Sequence, residues 1–119
     1  MTNRQIRANT SDETQRKGWT NFETWLVYRR IETNKRSQTY WGLSAKQAIR
    51  EAIDRAAMRD GICTVLESAR FSLAMQMKNE VLETSPVLGN TIHANLLEAV
   101  IDSVNWHEIA GRLLDESCQ

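Results

Sequence analysis

Along the chain, apolar residues recur three and four apart, the spacing that gathers them on one face of an α-helix. Phe22, Trp25 and Leu26 open the first such stripe, and Tyr28 and Ile31 widen it. Thr20 and Glu23 stand before it at capping-box spacing, so a helix is expected to start there, run to about Thr33 and stop at Asn34. Lys35 to Gly42 reads as a polar connector. Ser44 and Gln47 repeat the capping spacing, and Ala48, Ile49, Ala52, Ile53 and Ala56 carry a second helix to Met58, with Gly61 either its stop or a glycine inside one longer helix. Thr64 and Glu67 restart the pattern ahead of Leu66, Ala69, Leu73, Met77 and Val81. The only proline, Pro86, lies with Gly89-Asn90 inside Thr84 to Asn90, which therefore reads as a turn.

The last third is patterned most clearly. Ile92, Leu96, Leu97, Val100 and Ile101 make one amphipathic helix. Asn105 then stands as a cap with Glu108 at the reciprocal position, and Val104 is placed to staple onto Ile109. Trp106, Ile109, Ala110, Leu113 and Leu114 form the face of the final helix. No strand-like alternation runs longer than a few residues. The expected fold is all-α: one compact bundle of about five helices over residues 18–119, behind a flexible polar tail over residues 1–17.

Composition supports a single domain. The chain has 119 residues and is 41% hydrophobic, enough for one core without staples. Fifteen basic residues balance fifteen acidic ones, so net charge selects no partner class. The distribution is uneven, however. Met1 to Arg36 holds eight basic and four acidic side chains, whereas Asp60 to Gln119 holds three basic and nine acidic. Cys63 and Cys118 form no CxxC pair and read as reduced thiols, Cys63 as a small core residue. Met1 to Lys17 carries no apolar leader core and no apolar run reaches membrane-spanning length, so a cytoplasmic protein without a membrane partner is expected.

The usual signatures of phosphate cradles, zinc hydrolases, nucleophile elbows and paired thiols are missing. Catalytic, cofactor-binding and metal-binding residues are accordingly expected to be none. His107 adjoins Glu108 and follows Asp102 by five positions, but acid–base or metal chemistry needs a third converging group that helical spacing does not supply. His107 therefore reads as a surface residue. Among the four tryptophans, Trp25 and Trp106 fall on core stripes, while Trp19 and Trp41 sit at element edges and suit either core or contact. The candidate partner-binding residues are Arg29, Arg30, Lys35, Arg36, Tyr40 and Trp41 at the basic end, with Glu80 and Glu83 from the acidic half. That acidic half reads either as a solvated face or as a mimic of phosphate toward a basic groove. A stripe including Ile49, Ile53, Met58 and Met75 suits internal core or the pairing of two chains.

The run Gly18-Trp19-Thr20-Asn21-Phe22-Glu23-Thr24-Trp25-Leu26-Val27 resembles the opening of a family of short phage, plasmid and bacterial proteins with an N-x-E-T-W-x-V type motif. The later run Val104-Asn105-Trp106-His107-Glu108-Ile109-Ala110 resembles that family's second motif, at a fitting distance. Arg30 departs from the pattern where relatives often carry a tryptophan, and the stretch from Ser37 to Asp60 is individual to this chain. The resemblance implies a mobile-element or prokaryotic origin, a context rich in small inhibitors of host defence. The expected function is a non-enzymatic inhibitor that binds a protein complex of a prokaryotic defence system, most concretely an anti-CRISPR protein blocking a nucleic-acid-guided effector. Direct nucleic-acid binding through the basic N-terminal end is the alternative.

Overall fold

A computed structural model describes residues 18–58, 64–85, 89 and 91–117. They form five helices: α1 (Phe22–Thr33), α2 (Lys35–Met58), α3 (Val65–Thr84), α4 (Ile92–Ser103) and α5 (Trp106–Ser117). No strand occurs among the described residues, so the chain is all-α. The expected tail, Gly61, Cys63 and Cys118 lie outside the described residues.

Helices α2, α3 and α5 pack against one another, α1 lies across α2 and α5, and α4 takes an outer position with α1 as its main neighbour. Small residues make this close packing work. The buried line of α2 is Trp41, Ala45, Ala48 and Ala52, and α3 answers with Ala69, Leu73, Ala74 and Met77. Alanine at successive helical turns lets backbones approach, and the larger Leu73 and Met77 fill the space between them. The final helix is as expected: Trp106, Ile109, Ala110, Leu113 and Leu114 are all buried.

Several local expectations are corrected. Asn21, rather than Thr20, caps α1, its Oδ1 accepting from the Thr24 amide at 2.9 Å. The polar connector does not exist, because α2 begins at Lys35 directly after α1. Asn34 alone separates them, and its Oδ1 accepts from the amides of Arg36 and Ser37 at 3.1 and 3.2 Å. Ser44 is consequently mid-helix, where its hydroxyl accepts from Gln76 Nε2 instead of capping. The first turns of α2 look like a loop in sequence because they present few apolar residues before Trp41 enters the core. The start of α3 was legible, since Thr64 Oγ1 accepts from the Glu67 amide and donates to its carboxylate, both at 3.1 Å.

The expected faces also shift. Phe22 and Leu26 are exposed on α1, and the residues that turn inward are Thr24, Trp25, Tyr28 and Ile31. Leu66 on α3 is exposed as well, and so are Ile53 and Met75 from the stripe that suited internal core or the pairing of two chains. On α4 only Ile101 of the expected apolar face is fully buried. No described helix is long and apolar enough to cross a membrane.

Candidate interaction surfaces

The two sequence motifs meet, and their meeting explains most of their residues. Asn21 caps α1 and Asn105 caps α5, so two helix N-termini stand side by side. Asn105 Nδ2 donates to Thr20 Oγ1 at 3.0 Å, and the Asn105 amide donates to Thr24 Oγ1 at 2.8 Å. That hydroxyl in turn donates to Asn21 Oδ1 at 2.6 Å, while Asn21 Nδ2 reaches the Ser103 carbonyl at 2.7 Å. The Trp106 indole N–H closes the end of α4 by donating to the Ile101 carbonyl at 3.1 Å. Glu108 departs from the expected reciprocal cap. Its carboxylate accepts from the Thr20 amide at 3.0 Å and so places negative charge between the two positive helix ends. The arrangement is a polar clasp that leaves no buried side-chain donor or acceptor unpartnered among the described residues. Its chemistry is structural.

Two tyrosines extend the polar contacts. Tyr28 O–H donates to Glu116 at 2.5 Å, and burial, then that carboxylate, pushes the phenol up to about 12. Arg112 lies over the rings of Trp19 and Tyr28, 5.4 and 5.6 Å from their centroids. Trp19 thereby belongs to the packed edge of the core, 4.8 Å from the Tyr28 ring. Tyr40 is exposed and donates to both oxygens of Glu80 at 2.8 Å, which raises its phenol above the ordinary range.

The candidate partner-binding residues divide accordingly. Tyr40 and Glu80 are brought together, joining the start of α2 to the end of α3, and Glu83 stands exposed on the same helix. Arg30, Lys35 and Arg36 are exposed around the α1–α2 junction, and Arg29 lies 5.2 Å over the Trp25 ring. Trp41 is a correction: its ring is buried against the core, edge-on to Tyr40 at 4.9 Å, and leaves little surface for a partner. His93 and His107 are both exposed, and no cluster of three or more His, Cys, Asp or Glu that could hold a metal occurs among the described residues.

A surface that pattern reading missed lies on α4. Leu97 and Ile101 face the bundle, whereas Ile92, Leu96 and Val100 are 68, 58 and 46% exposed. These three stand four apart and form one outward row. Glu98 and Asp102 are exposed elsewhere around the same helix, Asp102 reaching Lys78 of α3 at 3.6 Å. The signal was present in the sequence, since five large apolar residues in twelve positions are more than one contact face needs. Which row would turn inward depended on where α1 lies. No family model matches the chain, and no curated protein or solved structure matches it either.

Proposed function

We propose that this chain is a non-enzymatic protein-binding module that acts stoichiometrically on a host defence complex, as an inhibitor encoded by a phage or mobile element. The observation that carries the reading is the outward row Ile92, Leu96 and Val100 on α4. Large apolar side chains left in water are worth covering, on the order of 1 kcal/mol or more for each, and contiguous exposed apolar residues mark protein contact surfaces. Exposed Glu98 and Asp102 elsewhere around the same helix, and the acidic composition of this part of the chain, favour a partner with basic groups around its apolar contact. A nucleic-acid-guided effector offers such basic surfaces, so anti-CRISPR inhibition is the concrete form of the proposal. The motif resemblance supplies the context of mobile elements and defence.

The test is a plasmid-interference assay in cells carrying defined CRISPR systems, with the chain expressed alongside. Protection of the targeted plasmid is expected with at least one system, and Leu96→Glu combined with Val100→Glu should abolish it while the helical circular dichroism persists. Full protection by that folded double variant would overturn the α4 surface. Failure to protect against every system would overturn the anti-CRISPR form. Charge reversal at Arg29, Arg30, Lys35 and Arg36, and at Glu80 and Glu83, measures whether the charged end takes part.

A second reading, direct nucleic-acid contact through the basic N-terminal end, is favoured by one feature. Lys35 and Arg36 occupy the first turn of α2, which holds no acidic residue, although cations are disfavoured at a helix N-terminus. Binding that weakens with salt and with neutralisation of Arg30, Lys35 and Arg36 is its signature; salt-insensitive binding removes it.

A further inference from the structure

Only three basic residues lie between Asp60 and Gln119, and one of them, Arg70, occupies a place built for it. Its Nε donates to the His107 carbonyl at 2.7 Å, and its guanidinium lies against Gly111 of α5. A Cβ at Gly111 would stand 3.1 Å from both Cζ and Nε of Arg70. Glycine inside a helix costs about 1 kcal/mol relative to alanine, and here it leaves room for the guanidinium, which a side chain would displace by a few tenths of an ångström. The terminal nitrogens of Arg70 have no protein partner among the described residues.

Beside Arg70, a recess of about 500 Å³ is formed with Arg55, Ser68, Phe71, Ser72 and His107. Arg55 crosses from α2, its Nη2 donating to Ser68 Oγ at 2.9 Å and Ser72 Oγ at 3.2 Å. Both guanidinium groups are therefore held by neutral partners and keep further N–H groups unpaired among the described residues. Glu67 is the acidic residue lining the recess, and the Thr64 hydroxyl donates to its carboxylate. The Phe71 ring is exposed and stands 5.8 Å from the His107 imidazole at a 42° tilt.

Two oriented guanidinium groups suit an oxyanion, because each offers paired N–H donors in a plane. A carboxylate would use the guanidinium groups alone. The adjoining Phe71 and imidazole faces add a stacking platform, which suits an aromatic base attached to the anion. We propose that this recess binds a phosphate carrying a nucleobase, free or within a single strand, with Arg70 and Arg55 on the phosphate and Phe71 against the base. The proposal is independent of the protein-binding reading, since it uses a different surface and different residues.

Calorimetry at low salt with thymidine monophosphate and with a short single-stranded oligothymidylate tests it, alongside side-chain NMR of Phe71 and His107. Binding is expected to shift both rings, and Arg70→Ala should weaken it about tenfold or more, the loss of charge-assisted hydrogen bonds. Gly111→Ala should weaken binding several-fold despite improving helix propensity, because it displaces the guanidinium. Backbone amide spectra check that each variant remains folded. Equal affinity for both probes identifies the free nucleotide, whereas salt-sensitive tightening on the strand identifies single-stranded nucleic acid; either outcome supports the site. No shift with either probe, undiminished binding by folded Arg70→Ala, or binding only of a polyglutamate peptide used as control would overturn it.

Discussion

Thr24 has no exposed surface, and its hydroxyl is the hinge of the clasp between the two motifs, accepting from the Asn105 amide and donating to Asn21 Oδ1. Thr24→Val keeps the shape and removes the oxygen, leaving the Asn105 amide without its acceptor, while Asn21 Oδ1 keeps the Thr24 amide. It is expected to cost about 1–3 kcal/mol, read as a lower denaturant midpoint with an unchanged slope. Thr24→Ser keeps both hydrogen bonds and loses one methyl group, so it should fall nearer the wild type. Tyr28 supplies a test in pH. Its folded phenol titrates at about 12 and its unfolded one at 10.0, so the folded state holds the proton more tightly between those values. That stabilisation is complete below pH 10.0, and it is lost as pH rises toward about 12. Phenolate absorbance should show both tyrosines titrating above the ordinary value, and Glu116→Gln should bring Tyr28 earlier without restoring that value, because burial is the larger cause. Titration of both tyrosines together at the ordinary value would refute this account.

Between α1 and α2 the chain turns on one residue. Asn34 ends α1 in extended geometry and caps α2 through its side chain. Asn34→Ala should cost about 0.5–2 kcal/mol, whereas Asn34→Asp should be nearly neutral, because the carboxylate caps equally well. Hydrogen exchange at the amides of Arg36 and Ser37 would locate the loss. The alanine line of α2 makes the opposite prediction. Ala45 is fully buried, so Ala45→Leu would overpack the contact with α3 and α5 by about 1–3 kcal/mol. A fall in thermal midpoint checks it, and an unchanged midpoint would show the helices able to move apart.

Over the full bundle, stability and recognition are expected to separate. The outer row of α4 contributes little to the fold, so polar substitution at Leu96 should alter stability by no more than about 0.5 kcal/mol while removing partner binding. The polar clasp behaves in the opposite way, disturbing stability first. The uneven charge of the sequence is also redistributed by folding. Tyr40 ties the basic start of α2 to acidic Glu80, and Arg70 lies within the acidic half beside Arg55 of α2. A charged segment read in isolation therefore misjudges the surface to which it contributes.

Much of this was legible from local spacing alone. The all-α class, the start of α3 at Thr64, the Asn105 cap and the buried face of α5 each depend on interactions within a few residues of one helix. The sequence also marked Trp25 and Trp106 for the core, and both are buried. What lay beyond it were choices among comparable faces. Thr24 rather than Phe22 turns inward because Asn105 arrives from eighty-one positions away to meet its hydroxyl. Leu97 and Ile101 face the bundle while Ile92, Leu96 and Val100 do not, because α4 has α1 as its main helical neighbour. Arg70, forty-one positions away, lies against Gly111, a contact no local spacing marks. Periodicity specifies that a helix has a buried side; the neighbours assembled around it select that side, and those neighbours are remote in sequence.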